Sequence, residues 1–316
     1  MFGSHLSIAG SMVNALNEAQ QLKMDCVQVF TKNQRQWKTP PLTEQTCNDW
    51  LGKLKELKWH KRTGPARVVS HNSYLINLAS PNKELRNKSV ALQNEEIERC
   101  EKLKIPLLVS HPGAHMGKAR ARDDKNKLDG DFTKDELAGL KRIVKCLDKL
   151  HKDLPGYKTI TCLETTVGAG TTLGYSFEQL AFIRLNVREP KRIAYCLDTC
   201  HVTAAGYDMT SDAKAGQVLE LWDEICGLKN LKALHFNDSI GEVGSRKDRH
   251  AHIGQGECGL SCFRALLNHS QLADVPKILE TAKGMDENNE LWDVRNIQRL
   301  KRLVRRKTSQ KKERWT

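Results

Sequence analysis

Ile193-Ala-Tyr-Cys-Leu-Asp-Thr-Cys-His201 joins an apolar run to a carboxylate and an imidazole, and the reading of the fold starts from it. Residues 193–197 have the length and composition of a short buried strand, and Asp198 stands where the run stops. Ala66-Arg-Val-Val-Ser70 is followed in the same way by His71, and Ile105-Pro-Leu-Leu-Val-Ser110 by His111. The runs Lys158–Glu164, Lys232–Asn237 and Pro276–Glu280 deliver Glu164, His235 and Glu280. Asp248 and His250 follow in the segment after His235. With His201, nine potential metal ligands lie at or just after the ends of six apolar runs. Imidazole nitrogen with carboxylate oxygen is a donor set suited to zinc and other divalent first-row metals. Nine donors are too many for one four-coordinate ion and suit a cluster of two or three.

Gly3–Ser7 and Cys26–Phe30 raise the expected strands to eight. Helical stretches alternate with them: Ser11–Leu22, Thr43–Trp59, Pro81–Leu103, Thr133–Leu150, Ser176–Leu185, Asp212–Ile225, Ser261–Leu267 and Asp286–Leu303. Thr43 and Ser80 are expected as N-caps, with Pro81 at the first helical position. Alternation of this kind predicts parallel strands with right-handed crossovers, and eight units close naturally into a single (β/α)8 TIM barrel of the α/β class. Chemistry in such barrels sits at the C-terminal ends of the strands, where these ligands fall. A lone histidine there reads as a cap or a satisfied core residue. The whole set landing at strand ends is what carries the metal reading.

The 316 residues, 39% of them apolar, are enough for one large domain or two small ones. We expect the barrel over 1–306 and a basic C-terminal tail over 307–316. Lys+Arg 51 against Asp+Glu 38 leaves +13, which suits a polyanionic partner. Arg299–Arg314 holds nine Lys/Arg and one Glu, and reads as a DNA-phosphate contact, a nuclear localisation signal or a solvated terminus. Gly117–Asp131 is charged and poor in apolar residues, and reads as a mobile surface loop. The start of the chain has no secretory pattern, and no apolar run approaches the ~18 residues of a membrane span. Ten cysteines in that setting are expected as free thiols in a reducing compartment. Cys196 with Cys200, and Cys258 with Cys262, read as core packing. Gly168 with Gly170, and Gly254 with Gly256, serve a backbone approach to phosphate or a turn. Neither pair has a nucleotide-binding context, and no nucleotide cofactor is inferred.

The longer motifs are more specific. Thr31-Lys-Asn-Gln-Arg-Gln-Trp37, His71-Asn-Ser-Tyr-Leu-Ile-Asn-Leu78, His111-Pro-Gly, Leu163-Glu-Thr-Thr166, Cys196-Leu-Asp-Thr-Cys-His201, His235-Phe-Asn-Asp238, Ser245-Arg-Lys-Asp-Arg-His250 and Leu279-Glu-Thr281 closely resemble endonuclease IV. This is a family of apurinic/apyrimidinic endonucleases with three zinc ions. The resemblance runs from about Gly3 to about Thr281.

It implies one zinc on His71, His111 and Glu164, and a second on the bridging Glu164 with Asp198, His235 and Glu280. His201, Asp248 and His250 would hold a third, with manganese able to share some positions. It also implies hydrolysis of the phosphodiester 5′ to an abasic site by a metal-activated hydroxide, with Glu164 and Glu280 as catalytic groups. Trimming of blocked 3′ ends is a further implied activity. Arg35 and Tyr74 match positions inserted into DNA at the lesion, and Asn33, Gln34 and Trp37 shape the Arg35 loop. His5 either supports the metal site from behind or is a packed histidine. The implied partner is double-stranded DNA containing abasic sites, bound by a monomer. The implied setting is a bacterial cytoplasm beside the nucleoid, or a nucleus in a eukaryote. The alternative is a metal-dependent sugar isomerase on the same barrel. Such an enzyme would not need His201, Asp248 and His250 in addition.

Overall fold

The structure is a computed structural model and describes residues 1–61, 64–120 and 131–305. In chain order the strands are β1 (Phe2–His5), β2 (Cys26–Val29), β3 (Val68–His71), β4 (Leu107–Ser110), β5 (Ile160–Glu164), β6 (Ile193–Asp198), β7 (Leu231–His235), β8 (Asp238–Ser239), β9 (His250–Ala251) and β10 (Lys277–Leu279). The helices are α1 (Val13–Gln21), α2 (Glu44–Glu56), α3 (Lys83–Lys102), α4 (Lys134–Asp153), α5 (Phe177–Asn186), α6 (Thr199–Ala205), α7 (Asp212–Ile225), α8 (Gly259–Asn268) and α9 (Trp292–Leu303). Strands β1 to β7 and β10 pair in parallel and close in the order β1-β10-β7-β6-β5-β4-β3-β2. The expected eight-stranded barrel is therefore present. β8 and β9 form a separate antiparallel pair above it.

Successive side chains of each strand join two different clusters, as a period of two requires. Val69, Leu107, Val109, Cys162, Ala194, Cys196 and Ala233 fill the barrel interior. Val68, Leu108, Leu163, Tyr195, Leu197 and Leu234 pack outward against the helices, together with Leu16, Trp50 and Trp222. Each fully buried large apolar side chain contributes about 1.5–3 kcal/mol. Trp50 is fully buried, and its indole N–H donates to the Leu103 carbonyl at 3.0 Å, so α2 is also held by a polar contact.

This alternation positions the site. Two residues on from an inward Val69, Val109, Cys162, Cys196 or Ala233 stand His71, His111, Glu164, Asp198 and His235. The register sets Asp198 directly beside His235 and Glu164 beside Cys196. The ligands thus share one layer because the strand phase is the same all round.

Several expected boundaries are corrected. Thr43 caps α2 as anticipated, accepting from Thr46 N. The N-cap of α3, however, is Asn82, whose side chain accepts from Leu85 N at 2.9 Å. Ser80 and Pro81 belong to the turn before it, where Ser80 Oγ accepts from Asn82 N. α9 starts at Trp292 and not at Asp286. The Asp286 carboxylate accepts from Asn288 N and Glu290 N and closes a turn there. Helix α6 was not expected. Of the segment Gly117–Asp131, residues 121–130 lie outside the described residues, as does the tail 307–316. Within 117–120, Lys118 N donates to Asp135 Oδ2, and Arg120 pairs with Glu136 at 2.9 Å. All ten cysteines are free, and nine of them are buried. No helix among the described residues is long and apolar enough to cross a membrane.

Candidate metal centre

Glu164, fully buried at the end of β5, is the hub of the site. Its Oε2 lies 3.1 Å from His71 Nε2 and 3.0 Å from His111 Nε2. Its Oε1 lies 2.9 Å from His235 Nδ1. His235 Nδ1 in turn lies 3.1 Å from Glu280 Oε2 and 3.9 Å from Asp198 Oδ2. Beside this core, His201 Nε2 and His250 Nε2 approach Asp248 Oδ1 at 3.3 and 3.5 Å. The nine expected ligands therefore meet in three groups: His71–His111–Glu164, Glu164–Asp198–His235–Glu280, and His201–Asp248–His250. Within each group the donor atoms lie within 4.8 Å of one another.

The surroundings fix how each ligand is presented. A carbonyl oxygen only accepts, so the ring nitrogen facing one must carry the proton. His71 Nδ1 donates to the Asn72 carbonyl at 2.8 Å, His201 Nδ1 to Thr165 at 2.8 Å and His250 Nδ1 to Glu280 at 3.2 Å. In the neutral ring each then turns an Nε2 lone pair inward. His250 Nε2 is buried with no hydrogen-bond partner among the described residues. Asp198 serves twice: its Oδ1 caps α6 by accepting from His201 N at 2.8 Å, and its Oδ2 accepts from Asn237 Nδ2 at 2.6 Å. That cap explains α6. The helix begins at the strand end and carries His201 on its first turn, back over the barrel mouth.

Carboxylates and imidazoles in the cavity act strongly on one another. Burial alone would raise the Glu164 carboxyl, but the His235 and His111 imidazoles outweigh it and hold it well below the usual range. For Glu280 burial is likewise outweighed, chiefly by His235. Burial would lower His201, yet Asp198, Asp248 and Glu164 raise it well above its ordinary value. Once the imidazoles give up their protons, they and the four carboxylates form a donor set that fits divalent cations. Cys196 and Cys200 also come within 4.8 Å of candidate ligand atoms. Burial pushes each thiol up to about 12, and Cys196 packs in the apolar cluster of the barrel interior.

Reasoning from the sequence missed Gln28. This buried glutamine on β2 donates from Nε2 to Glu280 Oε1 at 2.6 Å, and its Oε1 accepts from His235 Nε2 at 2.8 Å. The signal was available, because Val27 and Val29 face outward and Gln28 therefore takes the inward phase of the ligands. Asn237 was missed as a support for Asp198. The His5 ring packs 4.4 Å from Phe30, and its Nδ1 lies 3.0 Å from Gln28 Nε2 and 3.4 Å from Glu280 Oε1.

At the rim, Tyr74 is 61% exposed, with its ring 5.4 Å from that of His71 and 6.1 Å from that of His111. Arg35 is exposed in the loop after β2, where its backbone N–H donates to Asn33 Oδ1. Its side chain makes no hydrogen bond or ion pair among the described residues. Arg249, also not anticipated, lines the roughly 360 Å³ cavity over the ligands. Gly168 and Gly254 both have positive φ (69° and 71°), which supports the turn reading of those glycine pairs.

The sequence pattern of the xylose isomerase-like TIM barrel family matches residues 16–303. A probable endonuclease 4 from Geobacter sulfurreducens is 41% identical over 310 residues, covering 98% of this chain and 96% of that protein. One from Chloroflexus aurantiacus is 40% identical over 303 residues, covering 96% and 98%. The crystal structure of endonuclease IV from Thermus thermophilus superposes with a TM-score of 0.77 at 30% identity, covering 96% of this chain and 98% of that one. A D-tagatose 3-epimerase-like protein superposes at 0.64 with 18% identity, a likeness of fold alone.

Proposed function

The chain belongs to the endonuclease IV family of xylose isomerase-like TIM barrels, and from that premise we propose how it acts as a DNA-repair endonuclease. It hydrolyses the phosphodiester 5′ to an abasic site and leaves a 3′-hydroxyl and a 5′-deoxyribose phosphate. Its cofactors are three divalent ions, zinc foremost, with manganese able to share some positions. His71, His111 and Glu164 hold one; Glu164, Asp198, His235 and Glu280 a second; His201, Asp248 and His250 the third. The observation that carries this reading is the double engagement of Glu164. One oxygen faces His71 and His111, and the other faces His235, so a single carboxylate joins two ligand groups. The isomerase alternative has no observation of its own, since the epimerase likeness is one of fold.

Bound there, the ions supply water activation near neutral pH and neutralise charge on the phosphate and the leaving oxygen. The chain supplies the rest. Gln28 pins one oxygen of Glu280, and the other faces the centre, where it orients a water and takes its proton. Glu164, engaged at both oxygens, fixes the geometry of its four imidazole neighbours. Arg249, at the cavity wall, meets the phosphate. An abasic nucleotide lacks stacking and is cheaper to extrude than an intact one. Tyr74 wedges beside the gap, and Arg35 fills the base stack. The same centre, acting on a terminal phosphate or phosphodiester, trims blocked 3′ ends.

The decisive assay is cleavage of a duplex carrying one tetrahydrofuran abasic analogue, which cannot undergo β-elimination. Scission on its 5′ side with a 3′-hydroxyl product, together with metal in the purified protein, is the expected result. An intact strand with fully metallated protein would refute the proposal.

A further inference from the structure

Arg35 sits in a loop with no regular secondary structure, yet both ends of that loop are tied to a single turn of α3. At its start, Thr31 Oγ1 donates to Glu96 Oε2 at 2.9 Å. Arg99 Nε donates to the Thr31 carbonyl at 3.1 Å, joined there by Arg99 Nη2. At its end, Arg99 Nη1 donates to the Pro40 carbonyl at 3.3 Å, and Thr39 Oγ1 donates to Glu95 Oε1 at 2.9 Å. Glu95 also stands 3.6 Å from Lys32 Nζ. Between these ends the loop has its own ties. Asn33 Oδ1 accepts from Arg35 N, and Ser73 Oγ donates to the Gln34 carbonyl at 2.7 Å, which couples the Arg35 loop to the Tyr74 loop.

Glu96, Arg99 and Lys32 are 1%, 8% and 4% exposed. Burying three charged groups is costly, and apolar residues of similar size would serve the helix–barrel packing at least as well. Ile97 and Cys100 on the same helix, with Leu103 at its C-cap, already provide that packing. What the charged groups add is a fixed path for ten residues of loop, and a binding loop held in its bound form loses less conformational entropy on association.

We propose that Glu96 and Arg99 are positioning residues for lesion recognition, clamping the loop so that Arg35 is presented to DNA in a preformed geometry. The inference rests on the reading of Arg35 as a lesion contact. It takes Glu96 and Arg99 to act only through the loop, without touching DNA.

The test measures affinity for a tetrahydrofuran-containing duplex and for the undamaged duplex, with the metallated full-length protein and the variants Arg35→Ala, Arg99→Lys and Thr31→Val. Arg99→Lys keeps the charge and removes the fork. Thr31→Val removes the hydroxyl from the loop side with no change on α3, and carries the test if Arg99→Lys does not fold. Arg35→Ala and each clamp variant should weaken abasic binding about tenfold or more, while undamaged binding changes less than about twofold. KM should rise with kcat at saturating DNA nearly unchanged, since the centre itself is intact. Combining Thr31→Val with Arg35→Ala should add nothing to Arg35→Ala alone. Hydrogen exchange should quicken over 31–40 in the clamp variants and not in Arg35→Ala, with the melting temperature preserved. If Arg35→Ala leaves abasic binding unchanged, the lesion-contact reading fails and takes the clamp with it. If Arg35→Ala weakens binding and the clamp variants do not, or act additively with it, the clamp alone is overturned.

Discussion

At the scale of single residues, the centre separates groups that face the reaction from groups that hold them. Glu280 faces it. Gln28 stands behind, with its amide nitrogen on Glu280 and its amide oxygen on His235. The two predict different failures. Glu280→Gln keeps the shape but loses the base and one carboxylate of the second ligand group, so cleavage should stay about 10²- to 10⁴-fold down even when added metal restores the metal content. Glu164→Ala should abolish cleavage as well. Gln28→Leu leaves His235 and Glu280 without their partner, and outer partners of this kind are worth about 10- to 100-fold in metal affinity. Its metal content after dialysis should drop, and saturating metal should recover much of the rate. Circular dichroism should be unchanged in all three variants. A Gln28→Leu protein that retains metal as tightly as the parent would make Gln28 a packing residue only.

At the scale of elements, what was legible followed from length. The barrel strands announce themselves by apolar runs, and their phase places every strand-end ligand on one level. β8 and β9 have two residues each and are too short for any period to show. α6 is seven residues long and hidden inside a candidate metal-ligand motif, and Asp198 starts it as a cap while also facing the candidate site. Gln28 lay in an expected strand but was not a ligand type, so its phase went unused. The start of α3 was misplaced because two capping types, Ser80 and Asn82, compete within three residues, and only the geometry decides. α4 was the plainest case. Its N-cap Thr133 and Glu136 form a capping box, and Glu136 also accepts from Tyr175 at 2.6 Å and Arg120 at 2.9 Å.

Those contacts predict a pH dependence for α4. Burial would raise the Glu136 carboxyl, but Arg120, Tyr175 and Thr133 N outweigh it and bring it down to about 2 from an ordinary 4.5. A carboxyl depressed in the folded state stabilises it above the unfolded value, and that stability disappears as pH falls through the folded value. The contribution, at most about 3 kcal/mol, is therefore complete above pH 4.5 and fades between 4.5 and 2. Glu136→Gln should melt below the parent at pH 7, and the gap should narrow as pH drops across that window. Comparing variant with parent cancels the loss of metal that acid also causes. A gap that stays constant with pH would show that the Glu136 charge contributes nothing.

At the scale of the whole molecule, two fields oppose each other. The chain carries +13, as a partner of polyanionic DNA should. The mouth of its barrel nevertheless gathers Glu164, Asp198, Asp248 and Glu280, all close to where a phosphate must come. Four carboxylates would repel that phosphate unless cations or protons offset them, so the donor set matters for binding as well as for chemistry. The surface charge acts at long range and is sequence-blind, and its effect should fall steeply with salt for damaged and undamaged duplex alike. The mouth acts at short range and, under the proposed function, meets an extruded abasic nucleotide. Stripping metal with a chelator should therefore do more than stop cleavage. Affinity for the abasic duplex should collapse toward that for undamaged DNA, while the salt dependence of undamaged binding stays as it was. Fluorescence anisotropy across a salt series, with metallated and stripped protein side by side, separates the two effects. Stripped protein that keeps its full preference for the abasic duplex would locate lesion recognition entirely at the rim, in Arg35 and Tyr74. Stripped protein that loses undamaged binding to the same degree would mean that the centre, and not the surface charge, holds the duplex.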